Sequence, residues 1–473
     1  MDKVSKQKIA CIIPPYYRLI ESKNNRVFPA MHYAAEILYR RGHDVKLING
    51  DYGDETVDYS DRYSMLKNSW LFEYCFENGH PVYDEIIDIL VELEPDFIFI
   101  SAGDSLLPTV ETGCAQSCVF LAKQIKKIIG DKPVIIGYGH LLKYASPENL
   151  INLDVIVSSE IENYLLPIVE EGLRGCLADD WYQDINSLPL LTDSYLLYPT
   201  SPQDWDYVTS SRGCTNQCKF CFQPALRGGN IAVCTAEKLM AEIENRIEKH
   251  GTEGFYIADM IFTLGNSEEL ENKLSYLRRI KEKHPRFAWW AEFHVKNILS
   301  PDVVEAIYKS GCIHMKIGVE MGNQAMLDKM NKQITLEEIK HVFGITKKVG
   351  IKRTAYVLIG CPGFTDSEYR DMWPFFKELD ADNYVVNISV PYIGTALYDE
   401  VFPMLHQKGI YKKGEEGFIH TSQVMKEFWG ISDSTLDLFF SLQGVKDDAR
   451  FRVYKRKVVN NDIFLNSKRI TYC

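Results

Sequence analysis

Three cysteines within eight residues, Cys214, Cys218 and Cys221, constrain this chain more than any other feature. They stand in the run Tyr207-Val208-Thr209-Ser210-Ser211-Arg212-Gly213-Cys214-Thr215-Asn216-Gln217-Cys218-Lys219-Phe220-Cys221, a C-x3-C-x2-C spacing with an aromatic residue before the last thiol. Thiolates so close in sequence must share one tight loop, and soft sulfur donors select iron–sulfur chemistry, here a [4Fe–4S] cluster. Three ligands leave one iron open to a substrate, as an open position does in catalytic zinc sites. A structural zinc site would close with a fourth Cys or His from a second knuckle, and no partner C-x2-C occurs. Cys114 and Cys118 repeat the first spacing, but Leu121 stands where the third ligand would be. Their stretch reads as helix, with both thiols on one face, so they are expected to pack in a core.

The rest of the chain alternates strand and helix signals. Up to about residue 175 the strand candidates are Lys8–Ile13, Asp44–Ile48, Asp96–Ser101, Lys132–Gly137 and Asp154–Val157, with helical patterns such as Phe28–Arg41, Tyr83–Glu92 and Cys114–Ile129 between them. This rhythm predicts a doubly wound parallel sheet. Ligands bind such sheets at the carboxyl ends of the strands. The loops there carry Pro15 and Tyr16; Ser101, Gly103 and Asp104; Gly137, Gly139 and His140; and Ser159 and Glu160. Small residues in them allow a flat ligand close to the backbone. His32 and His43 read as packed or surface residues.

From residue 201 to 400 the rhythm resumes: strands at Asp206–Ser210, Gly254–Ile257, Phe287–Phe293, Ile313–Val319, Arg353–Leu358 and Tyr384–Ser389 alternate with helices, among them Leu336–Val349 and Ser367–Leu379. Six such repeats predict a partial parallel (β/α)6 barrel, whose functional loops follow the strands. The cysteine loop follows the first. A linker is expected over 176–200. Residues 401–473 form a small helical cap or substrate region, with Ser432 capping a helix and a basic run from Lys446 onward.

The cysteine motif resembles that of the radical S-adenosylmethionine (SAM) superfamily, and shorter pieces follow in that family's order. Gly318-Val319-Glu320 resembles its fourth-strand Gly-Val-Glu element, Ile359-Gly360-Cys361-Pro362-Gly363 its fifth-strand turn, and Pro391-Tyr392-Ile393-Gly394-Thr395 its sixth-strand Pro-x-x-Gly-Thr. The sheet region directly before the motif resembles the cobalamin-binding domain of the cobalamin-dependent branch. Gly137-Tyr138-Gly139-His140 is similar to that branch's Gly-Gly-Pro-His loop, and Ser158-Ser159-Glu160-Ile161-Glu162 stands at its Gly-Glu-Gly-Glu. Asp-x-His-x-x-Gly, which supplies the lower axial histidine of cobalamin mutases, does not occur.

The resemblance implies cluster ligation by Cys214, Cys218 and Cys221. It implies SAM contacts from Phe220, Ala258, Asp259, Glu292, Gly318 and Glu320, and cobalamin contacts from the sheet-end residues named above. Cys361 and Tyr392 become candidates for the reaction itself. The implied activity is methyl transfer to an unactivated carbon of a small molecule or peptide, with a flavodoxin or ferredoxin as low-potential donor. Such a C–H bond is inert to acid–base catalysis, which explains recruiting such cofactors. Three alternatives stay open: radical rearrangement, cyclisation or oxidation without methyl transfer; methylthiotransfer, which would need a second, N-terminal cluster; and a silent cluster-bearing redox partner.

The bulk composition fits this reading. Hydrophobic residues make up 46% and charged residues 25%, ordinary for a globular protein. The net charge of −12 disfavours a nucleic-acid substrate. The first apolar run, Ile9–Ile13, ends at Pro14-Pro15 and is too short to span a membrane. Twelve cysteines with no secretory pattern point to a reducing, cytoplasmic setting.

Overall fold

The computed structural model describes residues 5–20, 27–53, 74–76, 78–103, 111–178, 181–182, 184–198, 205–410 and 422–442. Two six-stranded sheets, every pairing in them parallel, carry the fold.

The strands of the first sheet are β1 (Lys8–Ile13), β2 (Asp44–Asn49), β3 (Phe97–Ser101), β4 (Val134–Tyr138), β5 (Val155–Val157) and β6 (Gly175–Leu177). They lie in the order β2-β1-β3-β4-β5-β6. β1 and β3 are buried along almost their whole length, as the unbroken runs Ile9–Ile13 and Phe97–Ser101 require of central strands with helices on both faces. Helix α1 (Pro29–Arg40) starts with proline at its first turn and buries Met31, Ala34, Ala35 and Leu38. Helices α2 (Pro81–Leu93) and α3 (Glu111–Ile128) follow β2 and β3 in sequence. Cys114 and Cys118 are fully buried in this core, as expected of packed thiols. The sheet extends two residues past 175 through β6. Residues 195–197 then run along β2, with hydrogen bonds Leu47 N–H to Tyr195 O (2.8 Å) and Leu197 N–H to Leu47 O (3.0 Å).

The strands of the second sheet are β7 (Asp206–Val208), β10 (Gly254–Ile257), β11 (Ala288–Phe293), β12 (Cys312–Glu320), β13 (Lys352–Ile359) and β14 (Asn383–Ile388). They lie in the order β14-β13-β12-β11-β10-β7, with β7 and β14 as two edges, so the barrel is partial. Two short strands, β8 (Ser211–Arg212) and β9 (Ala232–Val233), form an antiparallel pair bracketing the cysteine loop. The expected helix Ser367–Leu379 is two helices, Asp366–Arg370 and Trp373–Leu379. Pro374, lacking a backbone N–H, begins the second rather than continuing the first.

Within the barrel the strand period sorts the residues. On β12, Met315, Ile317 and Val319 are fully buried in the core, while His314, Lys316, Gly318 and Glu320 are half-buried on the other face. Barrel interiors are usually filled by branched apolar side chains. Here Tyr256, Glu292, Lys316 and Tyr356 share the inner face, so it is built as a polar chamber.

The C-terminal region contributes helices Ser422–Trp429 and Asp433–Phe440, the second capped by Ser432 Oγ accepting from Thr435 N–H at 3.2 Å. Trp429 donates its indole N–H to Ser389 O at 2.7 Å, closing over the ends of β13 and β14. Gly360 there has φ +110°, and a Cβ would sit 2.6 Å from the Trp429 ring. Among the described residues no helix is long and apolar enough to cross a membrane. The basic run from Lys446 lies outside them.

Candidate functional site

The cysteine loop is built by its neighbours. Asp259, fully buried just after β10, accepts from Ser210 N–H (2.6 Å) and Ser211 N–H (2.8 Å), and also from Ser210 Oγ. Lys273 donates to the same hydroxyl at 3.1 Å. One carboxylate thus fixes the chain between β7 and β8. Gly213, φ +88°, makes the turn, and a Cβ there would lie 2.2 Å from Asn230 O, so glycine is required. Ala258 is buried, with its N–H bonded to Val208 O at 2.7 Å.

Cys214 and Cys218 are buried and Cys221 is half-buried. Burial raises the thiol of Cys218 and pushes that of Cys221 up to about 12. Without a cation such thiols stay protonated, and a bound metal is what turns them into thiolates. The Asn216 backbone N–H and side-chain amide lie 3.4 and 3.6 Å from Cys214 Sγ, as donors to a thiolate would. Among the described residues no three His, Cys, Asp or Glu side chains converge on a single metal ion. A cubane asks for something else, one thiolate on each of three separate irons. The donor set therefore fits a [4Fe–4S] cluster.

A buried ion pair stands beside the thiols. Lys332 Nζ donates to Glu320 Oε1 at 3.0 Å. Burial alone would lower the lysine pKa, but the Glu320 carboxylate and the Cys218 thiol outweigh it and raise it. Room for the pair comes from Gly318, where a Cβ would meet Lys332 Nζ at 2.7 Å and Glu320 Oε1 at 2.8 Å. Glu320 itself has φ +66°, at a register shift in the β12–β13 pairing. Phe220 lies under the same ammonium, 5.9 Å from its ring centre. Deeper in the chamber, Glu292 Oε1 accepts from Tyr256 and Tyr356, each at 2.8 Å. The Lys316 ammonium is 3.6 Å from the same oxygen and 4.2 Å from the centre of the Tyr256 ring.

Cys361 is buried in the turn after β13, and burial pushes its thiol up to about 12. Tyr369 closes that turn, its hydroxyl accepting from Cys361 N–H and donating to Cys361 O, both at 3.0 Å.

The carboxyl ends of the two sheets face each other. The His140 ring packs edge-on against Phe222, centroids 4.7 Å apart, and Phe222 follows Cys221 directly. Phe222 also lies 5.9 Å from Tyr392. A Cβ on Gly394 would lie 2.5 Å from the Tyr144 hydroxyl, so the loops after β4 and β14 touch. The loop after β5 meets the cysteine loop through charge. Glu160 binds Arg212 (3.2 Å) and Arg227 (2.5 Å), Glu162 binds Arg212 (2.7 Å), and Tyr182 N–H donates to Glu160 (2.7 Å). All four charged side chains are at most 3% exposed.

On the sheet-domain side, His140 Nε2 and Ser159 Oγ are buried without a hydrogen-bond partner. Burial pushes His140 down to about 3, so its ring is neutral. Gly139 packs onto Ala102, and Gly137 packs between Leu142 and Leu153. Ser101 Oγ donates to Gly103 O. Pro15 O accepts from Ser117 Oγ at 2.8 Å, and Tyr16 N–H donates to the buried Asp51 at 2.7 Å. Asp104 lies outside the described residues. His32 and His43 are buried against Asp193 and Glu170, among the packed residues.

Sequence reasoning missed Lys332, Arg212 and Arg227 as members of this region. Arg212, two positions before the first cysteine, carried the only local signal.

Residues 208–373 match the family model described as the Radical SAM superfamily. Over 422 residues the chain is 24% identical to "Uncharacterized methyltransferase PH0819" of Pyrococcus horikoshii, covering 83% of this chain and 82% of that one. It is 28% identical over 200 residues to the tRNA-2-methylthio-N(6)-dimethylallyladenosine synthase of Chlorobium phaeovibrioides, covering 41% of this chain and only 44% of that protein. Its fold is shared with TsrM from Kitasatospora setae, a radical SAM methyltransferase solved with cobalamin and a [4Fe–4S] cluster bound. The TM-score is 0.57 at 14% identity, over 84% of this chain and 78% of that one. The cysteine loop, the partial barrel and the family match agree: this chain carries a radical SAM domain, set behind a parallel-sheet domain in the two-sheet fold of TsrM.

Proposed function

We propose that this protein is a cobalamin-dependent radical SAM methyltransferase that acts on an unactivated carbon of a small molecule or peptide. The observation that carries this reading is the meeting of two carboxyl ends. A parallel sheet offers its ligand site there, and so does a parallel barrel. Ligands held at the two ends would lie against each other across Phe222, His140 and Tyr392.

In this reading Cys214, Cys218 and Cys221 hold the cluster. Gly318, Glu320, Glu292, Phe220 and the Ala258–Asp259 turn form the SAM side of the chamber. His140, Ser159 and the loops at Ser101–Gly103 and Pro15–Tyr16 form the cobalamin side, where the unpartnered His140 Nε2 and Ser159 hydroxyl suit a cofactor fringed with amides. Bound together, these groups supply a carbon radical able to take hydrogen from an inert C–H bond, and a methyl group to replace it.

The chain's own residues do the rest. Asp259 orients the cysteine loop. Glu292, pinned by two tyrosine hydroxyls and flanked by Lys316, keeps a fixed carboxylate in the chamber. Trp429 and the C-terminal helices cover the strand ends and limit water entry. Methylthiotransfer is disfavoured on a specific observation. Cys11, Cys75, Cys114 and Cys118 are all packed in the sheet-domain core, where Cys75 and Cys118 lie against carbonyl oxygens of Leu19 and Ile100.

The test is anaerobic reconstitution with iron, sulfide and hydroxocobalamin, then gel filtration, spectroscopy and incubation with SAM and strong reductant. The proposal expects about four irons per chain, co-eluting corrinoid and release of 5′-deoxyadenosine. A cluster without corrinoid would favour radical chemistry without methyl transfer. About eight irons would favour methylthiotransfer.

A further inference from the structure

Four buried charges between the sheets stand outside the catalytic roles proposed so far. Glu160 and Glu162 belong to the loop after β5, Arg212 to β8 and Arg227 to the short helix Gln223–Arg227, one on each side of the cysteine loop. The arginines bracket Gly213: Arg212 precedes it, and a Cβ on Gly213 would lie 3.1 Å from Arg227 Cδ. Two cations and two anions give the group no net charge. Buried charges are screened far less than exposed ones, so each acts strongly on a charge a few residues away. A cluster gains one negative charge on reduction, and its potential follows the net charge around it.

We propose that Glu160 and Glu162 are positioning residues for the cluster loop, and that by cancelling Arg212 and Arg227 they keep the cluster's reduction potential low. The sheet domain thereby tunes the barrel's cofactor through two carboxylates that touch neither cluster nor substrate. A low potential is what reductive cleavage of a sulfonium demands. The loop that carries these carboxylates also carries Ser159, so occupation of the sheet domain's ligand site would bear on the same pair. The inference rests on the three cysteines holding a cluster and is independent of cobalamin.

The test is an EPR-monitored redox titration of the reconstituted full chain without substrate, comparing wild type with Glu160→Gln, Arg227→Met and the double variant. Glu160→Gln leaves excess positive charge and is expected to raise the midpoint potential. Arg227→Met leaves excess negative charge and should lower it. The double variant restores neutrality and should return towards wild type. A merely structural role has no reason to give opposite signs or compensation. Shifts of the same sign, or no shift in either single variant, overturn the proposal. If Glu160→Gln does not retain iron, Glu162→Gln takes its place; the same rise is expected, and its absence overturns the proposal equally. Iron analysis of wild type comes first, and a chain that binds no iron brings down the cluster reading itself.

Discussion

The two carboxyl ends that meet at the centre of this protein are built from opposite materials. The barrel end gathers reactive and charged groups: three thiols, the Lys332–Glu320 pair and the Glu292 carboxylate. The sheet end is neutral where it faces the barrel, with an uncharged His140, a serine hydroxyl and glycines packed against neighbouring loops. The carboxylates of its β5 loop, Glu160 and Glu162, are turned over to arginines of the barrel. The difference teaches a division of labour. In the proposed reading one end holds soft metal and a charged sulfonium and the other receives a large ligand, while the charge of the sheet end is spent on cancelling arginines of the barrel.

The contrast between ligating and packed cysteines gives the largest expected effect. Replacing Cys214, Cys218 and Cys221 by alanine should reduce iron and SAM cleavage to background, while replacing Cys114 and Cys118 should leave both unchanged. The packed pair should instead cost about 1 kcal/mol each in chemical denaturation, the scale of one buried heavy atom. Iron loss in the Cys114 or Cys118 variants would erase the distinction.

Next comes the seam itself. Arg212→Met strands the buried Glu162 carboxylate, leaves Glu160 with Arg227 alone, and should destabilise the chain by about 3–5 kcal/mol. The exposed Lys283–Glu244 pair, broken by Lys283→Met, should cost no more than about 1 kcal/mol. Comparable losses from the two would mean that the seam is not a buried network.

A pH effect separates the ends further. Asp51, beside the Tyr16 loop of the sheet end, is raised from 3.8 to about 7, mainly by desolvation. The folded state therefore holds a proton that the unfolded state has released. The penalty is absent below the unfolded pKa, grows as pH rises from about 4 and is complete above about 7, reaching at most roughly 4 kcal/mol. Asp51→Asn should remove most of this fall, and melting curves at pH 5 and pH 8 for both proteins would detect it. A fall of equal size in the variant would place the effect elsewhere.

The smallest effect concerns the chamber. Tyr356→Phe removes one of two hydroxyls from Glu292 and should raise KM for SAM a few-fold, with little change in stability. An unchanged KM would detach Glu292 from the SAM side.

Much of this was legible in the chain. The βα rhythm located every strand of the barrel, β11 within one residue at its start and β14 within one at each end. The cysteine spacing marked the loop because its chemistry is local. What stayed hidden was long-range. Arg212 and Glu160 are 52 residues apart, and nothing periodic links them. Lys332 reads as an ordinary surface lysine, since only folding brings it over Gly318. Strand β6 is three half-exposed or exposed residues at a sheet edge, too short to signal itself. Asp259, expected beside SAM, has its oxygens engaged by Ser210 and Ser211, a pairing across some 49 residues that propensity does not reveal.

The central claim is that a corrinoid at the sheet end and a cluster at the barrel end are neighbours. The most direct measurement is EPR of the reconstituted chain with cobalt(II) corrinoid and reduced cluster both present. The account predicts strong magnetic coupling, with signals split or broadened relative to either centre alone. Two unperturbed signals that simply add would contradict it.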